Sequence, residues 1–271
     1  MDMNEKTVLI TGPTDGLGHA TALHLARPGV TLLLHGRDRL RGEQILRTVE
    51  DAGARAFFYP ADFAALDQVE SFADRVLGAH PRLDLLINNA GIGFGPPFQR
   101  RQESADGHEL RLAVNYLAPV LLTERLLPVL IAGAPSRIVN VASAGLHAID
   151  FSDLMLTSDY SGSRAYRQAK LAMIMWTFDL AERLRSHKVT VNALHPATFM
   201  NTTMVRQGWG IPMNSVDKGV RALLNLAEGE AHTRTSGAYF NGLDPDRADP
   251  QAYDMAARQE LRRMTRALLG L

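Results

Sequence analysis

The 271-residue sequence predicts an α/β fold, a doubly wound parallel β-sheet with helices on both faces. Three observations carry that expectation. Short apolar runs alternate with longer amphipathic stretches, the pattern of parallel strands joined by crossover helices. The first run, T-V-L-I-T at 7–11, passes into the glycine-rich turn T-G-P-T-D-G-L-G at 11–18 and then into the helical stretch H-A-T-A-L-H-L-A. A hydrophobic content of 46% lets a chain of this length bury one sizeable core, so a single domain over 1–271 is expected.

Taken in order, the apolar runs place strands at 7–11, 31–35, 54–59, 83–88, 136–141, 190–195 and, late in the chain, 237–240. Amphipathic stretches between them place helices at 16–26, 39–52, 66–79, 104–131, 163–186 and 215–227. The helix at 104–131 contains Pro119 and Pro128, which predict a kink or an earlier end, because proline has no N–H to continue the ladder. The segment 249–271 reads as a final amphipathic helix serving packing. Neither an internal repeat nor a low-complexity linker is apparent.

Composition narrows the function. The 29 basic and 29 acidic side chains cancel, which argues against binding nucleic acid or an anionic membrane. The chain has no cysteine, which removes disulfides, thiolate metal ligands and a thiol nucleophile. The start M-D-M-N-E-K-T-V-L-I lacks a basic segment followed by a long apolar run, and no later stretch approaches the ~18 uninterrupted apolar residues of a membrane span. A cytoplasmic protein without membrane insertion is the expectation.

The turn with Gly12, Gly16 and Gly18 between a strand and a helix suits a dinucleotide: glycine allows close backbone approach to a pyrophosphate, and the helix N-terminus offers unpaired N–H groups. The second strand ends L-L-L-H-G-R-D, with Gly36 and Arg37 where an acidic residue would grip the ribose of NAD. A small residue and a guanidinium favour a 2′-phosphate, so NADP(H) is preferred, with NAD(H) as the alternative. Asp15 in the turn opposes that phosphate, and Asp38 could tie up Arg37 in a surface ion pair.

Farther on, Tyr166 and Lys170 in Y-R-Q-A-K share one face of a helix at i, i+4 spacing. An ammonium near a phenol favours phenolate and eases proton exchange with a substrate oxygen. Singly, Tyr166 could cap a core, Lys170 could be solvated, Ser143 could stabilise a turn and Asn115 could satisfy a helix backbone.

In sequence order, the turn at 11–18, Asp62 after the third strand, N-N-A-G at 88–91, Asn115, Ser143, and the pair Tyr166 and Lys170 resemble the short-chain dehydrogenase/reductase family across nearly the whole chain. The segments L-H-G-R-D-R-L-R-G-E, Y-R-Q-A-K-L-A, V-T-V-N-A-L-H-P and G-A-Y-F resemble its retinol-dehydrogenase-like branch. The resemblance implies a Rossmann-like fold and reversible oxidation of an alcohol or reduction of a carbonyl. It implies that Tyr166 is the general acid or base, that Lys170 stabilises phenolate and binds the nicotinamide ribose, that Ser143 holds the substrate oxygen, and that Asn115 supports a proton relay through water. By the same resemblance Gly12, Thr14, Asp15, Gly16, Leu17, Gly18, Arg37, Asp62, Phe63, Asn89, Ala90, Gly91, Pro196, Thr198 and Phe199, with Tyr166 and Lys170, bind the cofactor. Ala197 stands where the family usually has glycine, and Asn201 where it has threonine. A homodimer or homotetramer through the helices at 104–131 and 163–186 is also implied.

Two segments bear on substrate. The 22 residues between Ser143 and Tyr166 can form one wall of a site, with His147 and Asp150 as surface-loop residues or pocket residues. The segment 199–215 carries Met200, Met204, Trp209, Ile211 and Met213 among glycine and proline and reads as a lid over an apolar small molecule. None of the nine histidines sits in a metal-ligand motif, so no catalytic metal is expected, and His195 reads as a loop-stabilising residue. Two other functions fit the same residues: a cofactor-assisted rearrangement or cyclisation, and a catalytically silent NADP-binding sensor.

Overall fold

The computed structural model describes residues 1–96, 99–208 and 211–271. The first half contains β1 (Thr7–Thr11), α1 (Gly16–Leu25), β2 (Thr31–Gly36), α2 (Arg39–Asp51), β3 (Arg55–Pro60), α3 (Leu66–Ala79) and β4 (Leu85–Asn88). The second half contains α4 (Leu110–Leu112), a π-helical turn (Ala113–Leu117), α5 (Ala118–Ala132), β5 (Ser136–Val141), α6 (Gly162–Arg183), β6 (Val189–His195), α7 (Thr203–Gly208), α8 (Val216–Ala227), β7 (Tyr239–Asn241), β8 (Asp244–Asp246) and α9 (Met255–Leu269).

All the strands form one sheet in the order β3-β2-β1-β4-β5-β6-β7-β8, parallel except for the β7–β8 pair. Both faces are covered, which is why the strands read as nearly continuous apolar runs. Val8 and Ile10 of β1 pack with Leu25, Ile45, Val49 and Leu223 on one face, while Leu9 packs with Phe72, Val76, Leu121 and Ile174 on the other. The chain builds outward from β1 to β3 and then returns to place β4 on the other side of β1. That reversal opens a crevice above the C-terminal ends of β1 and β4, the usual ligand position in such sheets.

The structure corrects three sequence expectations. The helix expected from Ser104 begins at Leu110. The Ser104 hydroxyl instead accepts from the N–H groups of Asp106 and His108, both at 3.2 Å, and Glu109 caps the helix by accepting from Leu112 at 2.7 Å. Pro119 offers no N–H to the carbonyl of Asn115, and the helix widens into the π turn around Asn115 and does not end there. Secondly, the strand expected at 237–240 lies at Tyr239–Asn241 and turns back as antiparallel β8, whose D-P-D sequence carries no strand signal. Thirdly, the helix expected over 249–271 is split. A 3-10 turn (Pro250–Tyr253) precedes Asp254, which caps α9 by accepting from Ala256 at 2.8 Å.

The segment Leu110–Ala132 is long and apolar enough to cross a membrane by composition, but most of it is buried inside the fold, against the sheet, α3 and α6. The final helix covers part of the same layer. Leu261 of α9 is buried, Thr265 hydrogen-bonds the Tyr116 hydroxyl at 2.7 Å, and Arg258 pairs with Asp179 of α6.

A buried polar seam holds this layer to the sheet. Asn88 of β4 donates to Thr123 of α5 at 3.0 Å and to Asn140 of β5 at 2.9 Å, and Asn140 donates to Thr177 of α6 at 2.8 Å. All four residues are buried, so each bond replaces water that cannot reach them. Asn140→Ala should therefore cost about 1–3 kcal/mol in urea unfolding. A loss under about 0.5 kcal/mol, the range of surface substitutions, would show that the seam is not holding the layers together.

Candidate active site

The glycine turn after β1 is fastened to the segment after β4. Thr11 donates its hydroxyl hydrogen to the Ile87 carbonyl at 3.3 Å and accepts from the N–H groups of Asn89 at 3.0 Å and Ala90 at 2.9 Å. In return, the Asn89 amide donates to the carbonyls of Thr11 at 2.8 Å and Gly12 at 3.2 Å. A Cβ at Gly18 would lie 2.1 Å from the Gly12 oxygen and 2.4 Å from that amide, so only glycine fits where α1 meets the turn. The result is a backbone-lined cradle at the N-terminus of α1, which fits a pyrophosphate. Asp15 caps the helix by accepting from Gly16 at 2.7 Å. Gly16 and Thr14 line the turn, Thr14 beside Gly36, while Leu17 sends its side chain into the core and leaves only its main chain for a ligand.

At the end of β2, Arg37 is exposed and 4.0 Å from Asp62. Asp38 does not pair with it. Asp38 caps α2 by accepting from Arg41 at 3.1 Å and forms its ion pair with that residue at 3.7 Å. The Asp62 carboxylate accepts from Ala64 at 3.0 Å. Phe63 stacks its ring on His35 at 4.2 Å within the core, where an aromatic ring gains more than at the rim, which leaves only its main chain for a cofactor. Burial lowers His35 to about 3, so it is a neutral core group.

The predicted catalytic residues converge at the other end of the crevice. Ser143 follows β5, and α6 brings Tyr166 and Lys170 to it, with the Ser143 hydroxyl close enough to pull the phenol's pKa down. The Lys170 ammonium donates to the Val141 carbonyl at 2.8 Å and lies 5.7 Å from the centre of the Tyr166 ring. Gly91 sits between Lys170 and Asn115, since a Cβ there would lie 3.6 Å from the ammonium nitrogen and 3.0 Å from the Asn115 amide oxygen. The Asn115 side chain accepts from the Ile92 N–H at 2.8 Å and donates to the Ile92 carbonyl at 3.0 Å, which pins the loop after β4.

Three residues missed in the sequence support this arrangement. Thr11 fastens the cradle, as described. Tyr239 donates to the Ser143 carbonyl at 3.1 Å and fixes the serine from β7. Gln251, in the C-terminal segment, accepts from the Ile149 N–H at 2.6 Å and donates to its carbonyl at 3.0 Å, clasping the wall between Ser143 and Tyr166. Tyr239 and Gln251 lie far from their partners in sequence and carry no local pattern.

After β6, Pro196 and Ala197 are buried, Thr198 is exposed and Phe199 carries the left-handed φ of +44°. The left-handed residue thus lies two positions after Ala197, which stands in place of the family's usual glycine. His195 bonds the Thr198 hydroxyl at 3.1 Å, and burial followed by the Lys218 charge lowers it to about 4. Asn214 donates to the Thr198 carbonyl at 2.6 Å, so the two ends of the 199–215 segment are tied together. Between them Thr202 packs on Gly16 and Met204 on Gly93, across the crevice. Trp209, named with this segment, lies outside the described residues. His147 is exposed, and Asp150 pairs with Arg164 at 3.0 Å. Among the described residues, His, Asp and Glu nowhere gather in threes as a metal site requires.

The family model for short chain dehydrogenases matches residues 6–209. This chain belongs to the short-chain dehydrogenase family. It is 35% identical to human retinol dehydrogenase 13, over 98% of this chain and 85% of that protein. The crystal structure of an uncharacterized Mycobacterium paratuberculosis protein superposes with a TM-score of 0.81 at 29% identity, covering 99% of this chain and 94% of that one. A short chain dehydrogenase from Burkholderia cenocepacia in complex with NADP gives 0.72 at 26% identity, covering 94% and 100%. This chain is therefore an NAD(P)-dependent dehydrogenase or reductase that interconverts a carbonyl and an alcohol.

In this short-chain dehydrogenase, burial opposes both charges of the Tyr166–Lys170 pair. Desolvation raises the Tyr166 phenol above its ordinary value, with the Ser143 hydroxyl pulling it down, and it lowers Lys170 to about 8. At neutral pH the folded enzyme thus carries a neutral phenol beside an ammonium that costs stability. Lys170→Met removes that cost, so the ligand-free variant should be more stable at pH 7, by about 1–3 kcal/mol. Between pH 8 and 10.5 folded Lys170 gives up its proton while the unfolded chain keeps it, so the native enzyme gains stability as pH rises and the advantage of the variant shrinks. Urea unfolding at several pH values measures both, and a variant less stable at every pH contradicts a desolvated ammonium.

Proposed function

We propose that this short-chain dehydrogenase is an NADP(H)-dependent enzyme acting on an apolar carbonyl or alcohol. The observation that carries the reading is the convergence of Ser143, Tyr166 and Lys170 at one end of a crevice whose other end is the cradle at Gly12 to Gly18. A nicotinamide bound in that crevice would supply the hydride or accept it.

The rest is work for side chains. The Ser143 hydroxyl, fixed by the Tyr239 bond to its carbonyl, orients the substrate oxygen. Tyr166 gives that oxygen a proton during reduction and takes it back during oxidation. Lys170, held at the Val141 carbonyl, supports the phenolate left behind and reaches the nicotinamide ribose. Gly12, Thr14, Asp15, Gly16, Leu17 and Gly18 would hold the pyrophosphate side through main-chain groups, Asp62 and the main chain of Phe63, Asn89, Ala90 and Gly91 would hold the adenosine side, and Pro196, Thr198 and Phe199 would hold the nicotinamide side. Asn115 holds the Ile92 loop in place and supports the proton relay through a water.

The preference for NADP(H) is supported by Arg37, left free of Asp38 at the end of β2, and by the NADP held in the Burkholderia cenocepacia relative. An apolar substrate is supported by the exposed Met204, Ile211 and Met213 of 199–215, which acts as a lid over the crevice. The relative named a retinol dehydrogenase agrees with that choice. The chain works as a homodimer or homotetramer, and a contact through α5 and α6 would include α9, which packs on α6.

Tyr166→Phe tests the central role. Its rate of reduced-nicotinamide oxidation with a carbonyl substrate should fall at least about a hundredfold while nucleotide binding is kept, and near-normal turnover would remove Tyr166 from the chemistry. Arg37→Ala should weaken NADPH binding by about 10–100-fold and leave NADH binding within about twofold, read by fluorescence titration. Equal loss for both nucleotides would assign Arg37 no role at the 2′-phosphate.

A further inference from the structure

Arg111 lies in α4, just before the π turn that carries Asn115, and only 2% of its side chain is exposed. Its guanidinium is fully engaged. Nε donates to the Gly93 carbonyl at 3.0 Å, one terminal nitrogen donates to the Phe94 carbonyl at 2.8 Å and to Gln99 at 3.0 Å, and the other donates to the Tyr160 hydroxyl at 2.7 Å. Glu109, also buried, supplies the countercharge at 3.5 Å and accepts from Tyr160 at 3.0 Å.

Stability alone is a poor reason for this arrangement, because an apolar pair of similar volume usually holds a core at least as well as a buried ion pair. What a guanidinium adds is a rigid planar fork that can grip consecutive carbonyls, which a point charge or an apolar side chain cannot do. The gripped residues lead to the reaction centre. The Phe94 ring lies edge-on against the Tyr166 ring, with centroids 4.5 Å apart and planes at 71°. The other arm holds Tyr160, just before α6 begins at Gly162. There the Phe94 carbonyl approaches so closely that a Cβ at Gly162 would lie 2.1 Å from its oxygen. One guanidinium thus fixes both the loop that packs on Tyr166 and the start of the helix that carries it.

We propose that Arg111 is a positioning residue for the proton step, acting through Phe94 to hold the Tyr166 phenol facing the substrate oxygen. The proposal rests on the reading of Tyr166 as proton donor. A lysine at 111 keeps the charge opposite Glu109 but cannot hold both carbonyls. Removing the Phe94 ring leaves only the Tyr160 arm, so the identity of residue 111 should then matter far less to the rate.

The test is a cycle of Arg111→Lys, Phe94→Ala and the double variant. It is read by single-turnover oxidation of bound NADPH with a carbonyl substrate, with nucleotide affinity and melting temperature measured on each protein. The expected result is a fall of about tenfold or more for Arg111→Lys with nucleotide affinity within about twofold, and less than a twofold further fall when Arg111→Lys is added to Phe94→Ala. A folded Arg111→Lys enzyme with an unchanged rate overturns the proposal, as does a full multiplicative loss in the double variant. If Arg111→Lys does not fold, Phe94→Ala decides: an unchanged rate overturns the proposal and a tenfold fall supports it. Tyr166→Phe in parallel separates the two readings, because turnover by that variant removes the proton role itself, whatever Arg111 does.

Discussion

The site depends on keeping an ammonium where water is scarce. Lys170 is buried on α6, its charge met by the Val141 carbonyl at 2.8 Å, and burial lowers its pKa to about 8. A charge in such a place interacts strongly with any neighbouring charge that forms during a reaction, because little solvent screens it. The cost is instability, and the rest of the fold is organised to bear it. The Thr123–Asn88–Asn140–Thr177 seam fixes β4 and β5 against α5 and α6, so the Val141 carbonyl and the Lys170 stem keep their spacing.

The second constraint is close approach of main chain. The glycine turn, the segment Asn89–Ala90 and α1 are packed so tightly that a Cβ at Gly18 has no space. Thr11 and Asn89 satisfy one another's neighbouring peptide groups, which removes the cost of burying them unpaired. At the other end of the crevice, Asn115 serves the loop after β4 by binding both polar groups of Ile92. Polar side chains here mostly shape the backbone around Ser143, Tyr166 and Lys170.

Much of this was legible in the sequence where function is written in local order. The strand, glycine turn and helix at 7–25 and the i, i+4 pair Tyr166 and Lys170 depend on neighbours in sequence, and the structure brings them to one crevice. What escaped depends on contacts between distant segments. Tyr239 reaches Ser143 from β7, Gln251 reaches Ile149 from the C-terminal segment, and Arg111 collects groups from 93 to 160, none of which has a spacing to read. Ser104 was misplaced for a different reason: its hydroxyl offers the backbone an alternative to helix, and helical periodicity does not reveal when that alternative prevails. Strand β8 is an edge held by backbone pairing to β7, so its side chains carry no pattern.

The most direct measurement is the titration of the Lys170 side chain in the folded protein by NMR of 13Cε-labelled lysine. Lysines occur only at 6, 170, 188 and 218, so single substitutions assign the resonances. A midpoint near pH 8 for Lys170 is the predicted result. A midpoint near the ordinary lysine value of about 10.4 would mean that the ammonium is solvated, and the account of a dry charge supporting Tyr166 would be wrong.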